Sequence, residues 1–393
     1  MTTLECVLKQ GKEKPVRGRH PWIFSGAIDK VSSEIRPGDL VHVFSSSRQF
    51  LGTGYFNPQS QITVRMLRFD EGPVDKDFFE NRLRRAIEWR KSSGILNKET
   101  NACRLVHAEG DDLPGLIVDQ YGDFLSVQIL TAGMERWRDV LVSALKALTD
   151  CSGIFEKDDV DSRHKEGLPR RTGLLSGQEP PDTVEIIENG CLFQVNLREG
   201  QKTGFYLDQR ENRKLVAGYA AGRRVLNCFS YTGGFSVYAA RAGASRVVSV
   251  EVSQSAQKLA EQNFSCNRIT GDFQFVRQDV FDYLRETKDV FDFIILDPPA
   301  FCKHPQQIQQ AARGYKDINL CALKRLSAGG LLLSASCSSF VSADLLQKIL
   351  FGAARDAGRG LQILGRHSQP ADHPVSIYHP EGDYLKAFLL RAD

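Results

Sequence analysis

"RVLNCFSYTGGFS", residues 224–236, begins as an apolar run and ends in paired glycines ahead of a helical stretch. A strand that turns at Gly233 and Gly234 into a helix suits the opening unit of a doubly wound sheet, because glycine permits a tight turn and a close backbone approach. Downstream the pattern repeats: "RVVSVEV", "FQFVRQD", "FDFIILD", "GGLLLSASC", "LQILGRH" and "YLKAFLLRA" are apolar runs separated by helical stretches. Strands alternating with helices predict a mostly parallel α/β sheet to the end of the chain.

Working back toward the amino end, the organisation changes. At 393 residues the chain exceeds what one core supports, so two or three domains are expected. "LECVLK", "RPGDLVHVFSS", "FLGTGYFN" and "QITVRMLRF" read as short strands punctuated by Gly and Pro, a small all-β module over residues 1–75. "KDFFENRLRRAIEWRKSSGIL" then spaces Phe78, Phe79, Leu83, Ala86 and Ile87 for one apolar helix face, with Arg82, Arg84, Arg85, Arg90 and Lys91 on or beside its polar face. "ACRLVHAEGDDLPGLIVDQYGDFLSVQIL" alternates like a hairpin, and "GMERWRDVLVSALKAL" reads as a second helix. Residues 157–182 are polar and rich in Gly, Pro and charge, which predicts a loop or linker. The expected division is therefore 1–75, a β/α middle domain with linker over 76–182, and the sheet domain over 183–393, entered through a hairpin and a helix.

A formal net charge of +3 excludes a histone-like polycation and leaves room for local basic patches. Nine scattered cysteines contain no C-x-x-C pair, which points to reduced thiols in a cytosol. The amino terminus lacks an apolar signal core and no apolar run reaches the ~20 residues of a membrane helix, so a soluble cytoplasmic protein is expected. His367, His373 and His379 recur every six residues without an acidic cluster, so no metal is expected.

In an open α/β sheet the ligand sits beyond the carboxyl ends of the strands. The first ends in the glycine turn and the second at Glu251, eighteen residues after Gly233, a spacing that suits a carboxylate on a ribose. The third ends in "RQDVF", where Asp279 is placed to accept from an adenine amino group. A nicotinamide fold offers the same turn and carboxylate, but G-x-G-x-x-G is absent; S-adenosylmethionine has no phosphate and needs no such cradle. Taken singly, the turn and Glu251 also fit an ordinary strand-to-helix connection; their order and spacing with Asp279 and Asp297 carry the argument.

The fourth strand ends in "LDPPAF", residues 296–301, where two prolines halt the strand and leave Asp297 facing a substrate base. Forty residues on, Cys337 stands at the next strand's end. Carbon 5 of cytosine is too poor a nucleophile to take a methyl group unaided, and a thiolate added at carbon 6 makes it enamine-like. Asp297 can stabilise that adduct through the N3 edge. Cysteine is also a common small core residue, and type alone favours that reading; position favours the nucleophile. Cys302 is the weaker pocket candidate, and Cys228 is expected to pack.

Lys9, Lys12, Lys14, Arg17, Arg19 and His20 precede Trp22 and Phe24, a mixture that suits phosphate contact and base stacking, or equally a solvated basic loop beside two core aromatics. "GQKTGFYLDQRENR", residues 200–213, and "RGYKDINL", residues 313–320, are read as lining the cofactor or RNA groove, Gln209 toward the cofactor and Lys202 and Lys316 toward RNA, with surface charge as the alternative.

"RHPWIFSGA", "GDDLPGLIVDQYG", "KTGFYLDQR", "LNCFSYTGGFSV", "LDPPAF", "RGYKDIN", "SCS" and "ADHPV" occur in order along the chain, which at these residues resembles the RlmI family of bacterial large-subunit ribosomal RNA cytosine-5 methyltransferases. The resemblance implies a β-barrel PUA domain, a mixed middle domain and a Rossmann-like class I methyltransferase domain. It implies S-adenosylmethionine as donor and 23S rRNA or a large ribosomal subunit precursor as partner, and leaves a homodimer open. The family's cofactor turn maps onto Asn227, Phe229, Tyr231, Thr232, Gly233 and Phe235, its ribose acid onto Glu251, its adenine acid onto Asp279, its motif onto Asp297 and Pro298, and its nucleophile onto Cys337. Where the family usually has lysine after "DPP", this chain has Ala300; whatever that lysine does, by charge or by packing, is expected to be absent here or supplied by Lys303 or Lys316. Methylation of a base nitrogen, and an RNA-binding assembly factor with a vestigial site, stand as the alternatives.

Overall fold

The computed structural model describes residues 4–302 and 304–393. By packing the chain forms two compact units: residues 1–186, 195–207 and 371–382, and residues 187–194, 208–370 and 383–393. Lys303 lies outside the described residues.

The second unit holds a seven-stranded sheet made of β1 (Arg224–Cys228), β2 (Arg246–Val250), β3 (Phe273–Val276), β4 (Phe291–Leu296), β5 (Leu326–Ser336), β6 (Leu361–His367) and β7 (Lys386–Ala392). Their order is β3-β2-β1-β4-β5-β7-β6, and all seven were expected from the apolar runs. β1 to β5 are parallel, while β7 inserts antiparallel between β5 and β6. Strands covered on both faces read as continuous apolar runs, and Val225, Leu226, Phe293 to Leu296 and Leu331 to Leu333 are accordingly buried. The winding reverses between β1 and β4, which opens a crevice at their carboxyl ends.

Among the described residues six helices flank the sheet: α1 (Arg210–Ala220), α2 (Gly234–Arg241), α3 (Gln254–Cys266), α4 (Val280–Glu286), α5 (Ile308–Arg325) and α6 (Ala343–Ala357). Side-chain oxygens of Ser253, Asp279 and Ser342 accept from the first-turn amides of α3, α4 and α6, which stops each helix at a defined residue.

The first unit begins with a six-stranded sheet whose neighbouring strands are Trp22–Phe24, Ile62–Arg68, Phe50–Phe56, Leu40–Phe44, Glu5–Leu8 and Ile28–Val31. A helix over Lys76–Ser92 follows, then a five-stranded sheet of Ala102–His107, Leu116–Tyr121, Phe124–Ile129, Gly153–Asp158 and Arg171–Gly177.

Three readings are corrected here. Residues 157–182 are not a linker: they contain a helix over Asp161–Lys165 and the edge strand Arg171–Gly177, tied in by buried Arg163, which holds Asp158 at 2.7 Å and Glu135 at 3.0 Å. Its charges satisfy a buried network rather than solvent. Arg90, expected on a polar helix face, is buried, and its guanidinium grips both Asp111 oxygens at 2.6 and 2.8 Å and the Asp372 carbonyl at 2.8 Å. The second helix of this region breaks at Trp137, whose ring leaves the axis to pack 4.6 Å from Phe79. Among the described residues no helix is long and apolar enough to cross a membrane.

Candidate active site

Beyond β1 the backbone enters the left-handed region at Phe229, Tyr231 and Gly233, with φ of 57°, 47° and 77°. Glu251, at the end of β2, fixes this turn: one carboxylate oxygen accepts the Tyr231 amide and the other the Ser253 amide, both at 2.9 Å. From α3, Asn263 donates to the Thr232 carbonyl at 2.8 Å. A Cβ on Gly233 would meet that of Ala260 at 3.1 Å, so glycine is needed there for space as well as for φ. Asn227 and Phe235 are buried beneath the turn, Asn227 donating to Ser236 at 2.9 Å. Asp279 is exposed and caps α4 through Oδ1, which accepts from Phe281 at 2.8 Å, leaving Oδ2 at the end of β3.

Asp297 follows β4. Gln209 donates to its Oδ1 at 2.8 Å, and Asn212 donates to the Gln209 carbonyl oxygen at 2.6 Å, which orients that amide. Asp208 stands in the same neighbourhood, held by the Tyr384 hydroxyl at 2.8 Å. Asp297 keeps some exposed surface, but protein encloses its carboxyl. Burial, reinforced by the Asp208 charge, pushes its pKa from the usual 3.8 up to about 7, against the opposing pull of Arg213 and the Gln209 hydrogen bond. The folded chain thus holds this proton more tightly than the unfolded chain. The resulting stabilisation is complete below the unfolded value and is lost as pH rises through about 7. Asp297→Asn, which cannot ionise, is therefore expected to melt several degrees above wild type at pH 8, on the order of 2 kcal/mol, with the gap narrowing through pH 5 and closing near pH 4. Scanning calorimetry across that range checks it, and a pH-independent gap would contradict the assignment.

Cys337 follows β5, partly exposed, with its Sγ 4.0 Å from the Pro298 carbonyl oxygen. The thiol expected on the same edge as "DPP" is therefore beside it. Tyr315 of α5 holds the serines on either side: Ser336 donates to its hydroxyl at 2.9 Å, and that hydroxyl and Ser338 Oγ are 3.1 Å apart. Cys302 is buried, its thiol directed to the His304 carbonyl at 3.2 Å, and Cys228 is buried in the core. Neither presents sulfur to the crevice.

The residues read toward RNA fare differently. Trp22 is taken up by its own unit, donating to Glu109 at 2.8 Å and packing 4.4 Å from His379, and His20 reaches Glu381 at 3.3 Å. Both rings are thus braced within their own unit while keeping part of their surface exposed. Arg17, Arg19 and Phe24 stay exposed, and so does Lys202. Lys316 pairs with Asp356 of α6 at 2.5 Å, so it does not replace the lysine missing at Ala300.

Buried polar atoms in this unit test which ligand fits. Asn227 Oδ1, Asp208 Oδ1 and Asn212 Oδ1 accept no hydrogen bond among the described residues. These are acceptors, and buried acceptors call for a ligand that brings N–H and O–H donors and positive charge. S-adenosylmethionine brings ribose hydroxyls, an amino group, an ammonium and a sulfonium, which suit these acceptors, and the Thr232 hydroxyl of the turn, likewise without a partner among the described residues, can donate or accept.

Residues 157–391 match the family described as S-adenosylmethionine-dependent methyltransferase, and residues 7–69 match a PUA-like domain. The chain is 48% identical over 392 residues to Ribosomal RNA large subunit methyltransferase I of Aeromonas hydrophila and 46% identical over 391 residues to that of Tolumonas auensis, with 98% of each chain covered in both cases. Among solved structures, one described as a SAM-dependent methyltransferase from Streptococcus mutans matches at a TM-score of 0.85 and 27% identity over 98% of this chain and 99% of that one. A methyltransferase complexed with SAH matches at 0.86 and 27%, with both chains fully covered.

Proposed function

The chain belongs to the ribosomal RNA large subunit methyltransferase I family of S-adenosylmethionine-dependent enzymes, and from that premise we propose that it methylates carbon 5 of a cytosine in 23S rRNA through a thiolate adduct at carbon 6. The observation that carries the chemistry is Cys337: a partly exposed thiol at the end of β5, 4.0 Å from the Pro298 carbonyl of the motif that bears Asp297. Methylation of a base nitrogen needs no such thiol.

When bound, S-adenosylmethionine supplies an electrophilic methyl group. Asn227, Phe229, Tyr231, Thr232, Gly233, Phe235 and Glu251 form or brace the turn that would hold it, with Asp279 at the end of β3 and Gln209, Asp297 and Pro298 beside the reacting end. The Cys337 thiolate adds to carbon 6 of a cytosine lifted out of stacking. Electron density moves toward N3, where an Asp297 carboxyl that holds a proton near neutrality can donate it. After carbon 5 is methylated, loss of its proton lets the thiolate leave and the ring recover its double bond.

Residues 1–75 are assigned to gripping RNA, through Arg17, Arg19 and Phe24 rather than Trp22; 76–182 act as the middle domain and 183–393 carry the reaction. A large-subunit precursor is the proposed partner and the cytoplasm the proposed compartment. The test is an RNA substrate carrying 5-fluorocytosine: fluorine cannot leave as a proton does, so enzyme and RNA should remain covalently joined at Cys337 in the presence of cofactor. Turnover without an adduct would exclude the thiolate route.

A further inference from the structure

Lys386 is the first residue of β7, in a run that is otherwise apolar, "YLKAFLL". The antiparallel pairing of β5 with β7 places it opposite Ser336, one residue before Cys337. It is 7% exposed. Its Nζ donates to the Tyr384 carbonyl at 3.1 Å and to the Ser338 carbonyl at 3.4 Å, so the ammonium reaches along the "SCS" segment to the residue beyond the thiol. Among the described residues it is in no ion pair with a carboxylate. An ammonium buried here hydrogen-bonds only neutral carbonyls and feels the Asp383 charge without an ion pair to it, so a further anion in its pocket would stabilise it.

We propose that Lys386 supplies this anion's counter-charge: it takes the proton of Cys337, so that the site rests as a thiolate beside an ammonium and the nucleophile is ready before RNA arrives. In that step the neutral Lys386 amine, the form its burial favours, takes the proton: the S–H bond breaks, an N–H bond forms, and thiolate and ammonium result with no other reactant. The assignment rests on the reading of Cys337 as nucleophile and goes beyond it by naming what activates the thiol. Lysine next to cysteine is an established way to stabilise thiolate. Burial pulls Lys386 below the ordinary lysine range, while Asp383 and Cys337 itself favour its charged form. The other polar groups at this place are the Tyr315 phenol, which burial keeps neutral, the hydroxyls of Ser336 and Ser338, and the carbonyl of Pro298. None of these carries a positive charge.

The experiment is alkylation of the full-length protein by iodoacetamide between pH 5 and 10, with modification of Cys337 read by peptide mass spectrometry. In wild type the rate is expected to rise with a midpoint at least one pH unit below the ~8.5 of an ordinary thiol. In Lys386→Met the midpoint should move above 8.5 and the rate at pH 7 fall at least tenfold, while Lys386→Arg keeps the low midpoint. A wild-type midpoint at or above 8.5 overturns the proposal without need of any variant, as does a Lys386→Met profile that matches wild type. Cys337→Ala separates the two readings: if it retains methyl transfer, the nucleophile reading fails. If it is inactive while the Lys386→Met profile is unchanged, only the role of Lys386 fails.

Discussion

Cys337→Ala is expected to lower methyl transfer to RNA by at least ~10⁴-fold while leaving S-adenosylmethionine affinity within about twofold of wild type. The size follows from the chemistry. Without an adduct at carbon 6, carbon 5 remains part of an aromatic ring and cannot attack a methyl group, so no partial pathway takes over. Rescue by a neighbouring thiol is blocked by geometry, because Cys302 is buried with its sulfur on the His304 carbonyl and Cys228 lies inside the core. The cofactor turn rests on other contacts, from Glu251 to the Tyr231 amide and from Asn263 to the Thr232 carbonyl. Tritium release or mass mapping of the RNA, paired with calorimetric titration of the cofactor, reads the two quantities separately. Activity within tenfold of wild type would return Cys337 to the status of a small core residue.

The strands of the catalytic sheet were legible because parallel strands covered on both faces need unbroken apolar runs, and each such run in the sequence became a strand. The strand ends were legible for a related reason: topology makes them converge, so Glu251, Asp297 and Cys337 could be picked out by position before any contact was known. What escaped was polar residues doing buried work. Arg163 and Arg90 look like surface charge in a list of residues, yet each closes a network between segments distant in sequence, Arg163 to Glu135 across 28 residues and Arg90 to Asp372 across 282. Trp22 was ambiguous in another way, since an aromatic beside a basic run suits base stacking and core packing alike; its ring engages Glu109 and His379 and stays partly exposed. Tyr315 and Lys386 left a fainter signal. Tyr315 sits in "RGYKDINL", where the lysine and not the tyrosine drew the reading, and Lys386 interrupts an apolar strand where a charge has no reason to be unless it is paired.

Arg213→Ala should be the most damaging change to the catalytic unit's stability. Arg213, buried on α1, donates through Nε and Nη2 to the two Glu188 oxygens, each at 2.7 Å, and the Tyr238 hydroxyl donates to the same carboxylate at 3.0 Å. Removing the guanidinium leaves Glu188, itself fully buried, with an uncompensated charge. Such a loss costs ~3–5 kcal/mol, or about 6–20 °C in melting temperature for a unit of this size. Replacing both partners, as in Arg213→Met with Glu188→Leu, removes the stranded charge and should recover more than half of the loss. The same bond positions chemistry, because α1 carries Asn212 and is entered through Gln209, the two residues that orient the Asp297 carboxyl. Arg213 also holds Asp297 down electrostatically, so its removal should raise that carboxyl further and weaken cofactor binding even at temperatures where the variant is folded. Calorimetry of the single and double variants separates these effects; a melting loss under 2 °C in Arg213→Ala would mean that α1 is held by its apolar face and not by this pair.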